Sequence, residues 1–173
     1  PGQYLCMIPQ ESLASLMRLL DLEEEGWRGL LHALNQEAQA VKSQDLEAIN
    51  SSIQKKGEAI SNLSLMLEEK RQLLNDIARR LNLSTPLRWE VLLSHVSPEQ
   101  GQELTARQEK FAAFAQEVKE KNQENAVLIE AALHVVGDSL QFLRRLLGEE
   151  THYDRGGNIS ARPLHGKIVS ERG

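Results

Sequence analysis

DLEAINSSIQKKGEAISNLSLMLEEKRQLLNDIARRLN, residues 45–82, decides the fold class. Its apolar positions, Leu46, Ile49, Ile53, Ile60, Leu63, Leu67, Leu74, Ile77 and Leu81, follow one another at steps of three, four and seven, with Gly57 in the same series. A strand would alternate with period two, whereas these steps return to one face of a helix. A seam with this heptad-like spacing needs another helix beside it. The preceding tetrapeptide KSQD breaks the pattern, and the Asp45 carboxylate is placed to accept from the free amides of the first turn.

Upstream, Leu13, Leu16, Leu20, Trp27, Leu30, Leu34, Ala38 and Val41 form a second helical stripe, so a first helix is expected from about Gln10 to Lys42. Gly26 and Gly29 sit inside it at a cost of up to about 1 kcal/mol each. They flank Trp27, which suggests close packing there, and close helix approach is the simplest reading of Gly57. Residues 1–10 are given no structural weight. Downstream, Thr85-Pro86 and Ser97-Pro98 each place proline behind a hydroxyl cap. The expectation is a short helix from Pro86 to about His95, then a long one from Pro98 with no breaker before Gly148. Leu104, Phe111, Phe114, Val118, Ile129, Leu133, Val136, Leu140, Leu143 and Leu147 mark its stripe. From Gly148 periodicity is lost and five glycines fall among the remaining residues, as in a flexible tail. The expected fold is therefore all-α: an elongated antiparallel bundle or coiled coil of three long helices with a short connecting helix over residues 1–147, and a flexible tail over 148–173.

Composition narrows the function. The chain has 173 residues, only 4% aromatic, with a formal net charge of −5. Residues 1–147 are acidic and show no basic face interleaved with aromatics, which argues against a nucleic-acid partner. The same lack of a basic face argues against an anionic membrane surface. No uninterrupted apolar run approaches the roughly 20 residues of a membrane span, and the start lacks a basic region followed by an apolar core. One cysteine, Cys6, rules out an intramolecular disulfide framework and fits a reducing cytoplasm. The expectation is a cytoplasmic protein without membrane insertion.

Chemistry finds little support. His32, His95, His134, His152 and His165 are scattered. Glu149 to His152 is a single Glu-x-x-His, and Glu130 precedes His134 by one turn, whereas a carboxylate-bridged metal site needs two such motifs and two further glutamates. No metal, cofactor or catalytic residue is assigned. The acids Glu23 to Glu25 read as a solvated face. Asn122 and Asn125 continue the stripe of the last long helix and read as register-setting polar residues.

The second helix should be about 55 Å long and the last about 75 Å at 1.5 Å per residue. Folded back antiparallel, the last helix would extend beyond the turn between the first two from about His134. Its apolar arc is about 100° wide from Leu104 to Val118 but widens to about 180° from Leu128 to Leu147 as Leu128, Val135, Phe142 and Leu146 join it. An apolar arc too wide for its neighbours is a candidate docking surface. The binding residues expected there are Leu133, Val136, Leu140, Phe142, Leu143, Leu146 and Leu147. Packing of this arc inside a closed bundle, or self-association into a homodimer through the same stripe, are the competing readings. Tyr153, the lone aromatic of the tail, is the other candidate contact.

The acidic, leucine-rich first helix, SQDLEAI leading into a helix with EEKRQLL, and KNQENAVLIEAALHVVGDSLQFLRRLL followed by THYDRGGNI together resemble the flagellar export chaperones of the FlgN family. That resemblance implies a non-enzymatic cytoplasmic chaperone of flagellar type III export. It implies binding of hook-associated (hook-filament junction) proteins through their C-terminal helices, and delivery to the export gate. It further implies that Tyr153 contacts the cytoplasmic domain of the export gate protein.

Overall fold

The computed structural model describes residues 7–146, 152–153 and 159–160. Among the described residues the fold is all-α apart from one pair of two-residue strands, and the chain divides into two compact units, Pro1–Leu128 and Ile129–Gly173.

The first unit contains α1 (Gln10–Ser43), α2 (Leu46–Arg80), α3 (Trp89–Leu93) and the beginning of α4 (Pro98–Leu146). The boundaries follow from local chemistry. Gln44 takes the left-handed conformation at φ 55° and returns its N–H to the Val41 carbonyl, which ends α1. Asp45 then caps α2 by accepting from the Glu47 N–H at 3.0 Å and the Ala48 N–H at 3.1 Å. At α4 the Ser97 hydroxyl accepts from the Gln100 N–H at 3.3 Å, and the Gln100 side chain accepts from the Ser97 N–H at 3.0 Å. That reciprocal box precedes Pro98, which has no N–H to satisfy.

Three helices share the core. As α1 advances from Ser12 through Glu23 to Glu37, its polar partners on α2 recede from Arg80 through Lys70 to Lys56, so the pair is antiparallel. Along α4, Arg107, Lys110 and Asn125 meet Asp21, Glu24 and Leu34 in turn, so α4 runs parallel to α1. Leu16, Leu20, Leu34, Ile77, Leu92 and Leu104 are fully buried. Each contributes about 1.5–3 kcal/mol from apolar burial, which is what holds α3 and α4 onto the α1/α2 hairpin.

Several expectations are corrected. The leader is not idle: Ile8 is buried in the main apolar cluster and donates its N–H to the His95 carbonyl at 3.0 Å. The short helix begins at Trp89, not Pro86; Leu87 and Trp89 instead pack against the main cluster from the turn and the first helical residue. Close packing holds at Gly26, where an added Cβ would meet Leu63 Cδ1 at 3.1 Å and Met66 Sδ at 3.2 Å, but nothing approaches Gly29 or Gly57 within 4 Å. Glu23 is buried rather than solvated, because Lys70 on α2 reaches it.

The α2 seam divides as well. Leu63 and Ile77 are buried, whereas the series spaced by seven is progressively uncovered: Leu74 is partly buried, and exposure then climbs through Leu67 (37%), Ile60 (48%) and Ile53 (50%) to Leu46 (77%). A straight helix turns 3.6 residues per turn, so each heptad step drifts about 20° around it. Over four steps the stripe rotates from the core into solvent.

In the second unit, α4 continues through Leu146, and His152–Tyr153 pairs antiparallel with Ile159–Ser160, placing Tyr153 opposite Ile159. Most of the expected tail, together with Leu147, Glu149 and Cys6, lies outside the described residues. Among the described residues one helix, α4, is long and apolar enough over an 18-residue window to cross a membrane by length and composition, and none of that window is buried. A search for uninterrupted apolar runs misses it because Glu130, His134 and Asp138 break the run every four residues. Those polar residues share one side of the helix. An acid at a bilayer centre costs about 2.5–3.5 kcal/mol, so an amphipathic surface helix is the better physical reading.

Candidate functional site

Two buried carboxylates on α1, Glu23 and Glu37, tie it to α2 and α4 in the first unit. Glu23 accepts from Lys70 Nζ at 2.5 Å and from the Trp27 indole at 3.4 Å, and Lys70 also lies 5.6 Å from the Phe111 ring centroid on α4. Glu37 accepts from Lys56 Nζ at 2.5 Å and from Asn125 Nδ2 at 2.8 Å. Asn125 spends its second amide proton on the Leu34 carbonyl, also at 2.8 Å. It is thus buried with both donors satisfied, fixing the register of α4 against α1. Asn122, read from sequence as its equal, is exposed. Nearer the surface, Lys110 and Arg28 both hold Glu24, and their hydrogen bonds lower its carboxyl below the ordinary range.

In the second unit, the binding residues expected from sequence are all exposed where described: Leu133, Val136, Leu140, Phe142 (61%), Leu143 and Leu146 (67%). Val135 is exposed on the same face. They share an arc of about 180° by helical geometry, with Glu130, His134, Asp138, Gln141, Arg144 and Arg145 on the remaining side. Near the middle of the apolar arc stands Ser139, whose hydroxyl donates to the Val135 carbonyl at 2.8 Å. A partner laid on this face therefore meets no unsatisfied hydroxyl. Leu147 lies outside the described residues, and of Tyr153 the structure describes the backbone pairing alone.

Such a surface can hold an amphipathic helix by its apolar anchors; it offers no arrangement of reacting groups. His134 Nδ1 lies 3.2 Å from Asp138 Oδ2 on the polar side and so pairs forward along its own helix, away from Glu130. Buried His95 donates Nδ1–H to the Val91 carbonyl at 2.8 Å. Among the described residues no group of three or more His, Cys, Asp or Glu could hold a metal ion.

Sequence reading anticipated the α4 face but missed the exposed α2 stripe and the buried Glu23. The signal for the stripe was its strict seven-residue repeat, which an α-helix cannot keep on one side. Glu23 had no local signal, since Lys70 lies 47 residues away.

The comparison with curated proteins and the comparison with solved structures each return no match. A family model described as FlgN protein matches residues 7–161, which takes in both polar ties, the apolar α4 face and Tyr153. The chain belongs to the FlgN family, a family of cytoplasmic flagellar export chaperones.

Proposed function

We propose that this chaperone grips hook-associated flagellar proteins by laying one of their C-terminal amphipathic helices on the apolar face of α4. It then delivers them to the export gate through Tyr153. The observation that carries the first part is the exposure of Leu133, Val136, Leu140, Phe142, Leu143 and Leu146 on one arc of one helix. Leu147 extends the same stripe in sequence. A client helix supplying anchors at i, i+3, i+4 and i+7 would engage such an arc. For the second part the support is the pattern THYDRGGNI, in which Tyr153 follows the helix end closely.

Phe142→Asp with Leu146→Asp should abolish co-purification of a hook-associated protein while leaving the melting temperature within about 1 °C, because exposed substitutions rarely change stability by more than ~0.5 kcal/mol. Retained client binding would refute the site. Tyr153→Ala should keep client binding and weaken capture by the cytoplasmic domain of the gate protein; loss of both would refute the division of labour.

A further inference from the structure

We infer that the client segment held on α4 is a helical hairpin, with a second helix beside the first and both arms contributed by one chain. The inference rests on the client role proposed above and concerns the shape of what α4 holds. At about 100° per residue the exposed apolar side chains of the second unit fall into two ridges. Leu133, Val136, Leu140 and Leu143 make the first, and Val135, Phe142 and Leu146 the second, each between 50% and 67% exposed. Their centre lines lie about 120° apart around the helix, divided by Ala132 and Ser139.

The first unit shows what one such ridge requires. Leu104, Phe111, Val118 and Asn125 lie on the same line of α4 as the first ridge, within about 40° of the direction of Val136. There they are received between two antiparallel helices. Phe111 joins the cluster that holds Leu16 and Leu20 of α1 and Ile77 of α2, and Val118 packs on the cluster of Leu30 and Leu34 of α1 with Leu63 of α2. A ridge of this phase and width therefore sits in the groove of a helix pair. The first ridge of the second unit has the same phase and lies open. The second ridge adds to the demand. Leu140 and Phe142 point about 160° apart, and one helix packed at about 8–10 Å between axes cannot face both. A hairpin meets the two requirements together: its groove takes the first ridge and the flank of one arm covers the second. Joining the arms in one chain makes the second contact intramolecular, so it forms without a further association cost. The ridges run from Leu133 to Leu146, about 20 Å of helix, so each arm needs about 14 residues.

Thiol labelling of the full chain with Cys6→Ser tests the hairpin. Leu140→Cys and Phe142→Cys are made separately, cysteine keeping a small apolar side chain at each position. A full-length hook-associated protein should slow labelling of both roughly tenfold or more, since a covered thiol does not react. A synthetic peptide holding only the last amphipathic helix of that protein should slow at most one. Slowing of both by the peptide, or of only one by the full-length protein, would overturn the hairpin and leave a single client helix on α4 standing. Slowing of neither by the full-length protein would remove the α4 client site itself, so the two readings fail separately. Light scattering should give one chaperone and one client per complex; two client chains or two chaperones would overturn the assignment of both arms to one chain.

Discussion

Asn125 shows how much one amide can settle. Its two N–H groups reach a buried carboxylate and a buried carbonyl on α1, so Asn125→Ala removes two hydrogen bonds and leaves Glu37 Oε2 without its partner. Leaving a buried acceptor unmet costs about 1–3 kcal/mol, and thermal unfolding should show a fall of several degrees. Asn122→Ala, at an exposed position three residues earlier, should change stability by less than ~0.5 kcal/mol. Equal losses from the two would remove the assigned role. Glu24 supplies the pH dependence at this scale. Hydrogen bonds from Lys110 and Arg28 lower its carboxyl from 4.5, so folding favours the ionised form. The stabilisation it gives is complete above pH 4.5 and disappears as pH falls through the lowered value. Carbon-detected titration by nuclear magnetic resonance should place its midpoint below 4.5, and Lys110→Ala should move that midpoint upward.

Helices were legible where their signals are local and obscure where they depend on a distant neighbour. Asp45, and Ser97 with Gln100, satisfy amides within three residues, so the starts of α2 and α4 can be read directly. The start of α3 could not, because Leu87 and Trp89 answer to a cluster assembled from α1, α2 and α4. Glu23 looked solvated for the same reason, its cation arriving from another helix. The apolar face of α4 could be read because excess width is a property of one helix alone. The drift of the α2 stripe was hidden by treating steps of seven as equivalent to steps of three and four. The two interior glycines make a prediction about elements. Gly57→Ala should stabilise the isolated chain by about 0.5–1 kcal/mol, since the new Cβ meets nothing. Gly26→Ala should gain less or lose stability, because Leu63 and Met66 must give way. Melting at low protein concentration compares them directly.

For the molecule as a whole, stability is distributed unevenly between its two units. The fully buried side chains all belong to Pro1–Leu128, while the described side chains of residues 133–146 are exposed. Regions with few buried apolar contacts open more readily than a packed core. Amide hydrogen exchange should therefore be slowest around Leu16–Leu34 and at least tenfold faster over residues 133–146, and a bound client should slow the second region selectively. Uniform protection across both would contradict this distribution. Ser139 gives that region a further property. A hydroxyl near the centre of an apolar arc leaves a shallow notch where a leucine would add contact. On the proposed client face, Ser139→Leu would add about 1.5–3 kcal/mol of burial, and because affinity changes within one interface act mainly on departure, dwell time would lengthen roughly 10- to 100-fold. Each loaded chaperone would then turn over more slowly, and on that proposal one small polar residue would set the tempo at which subunits pass through.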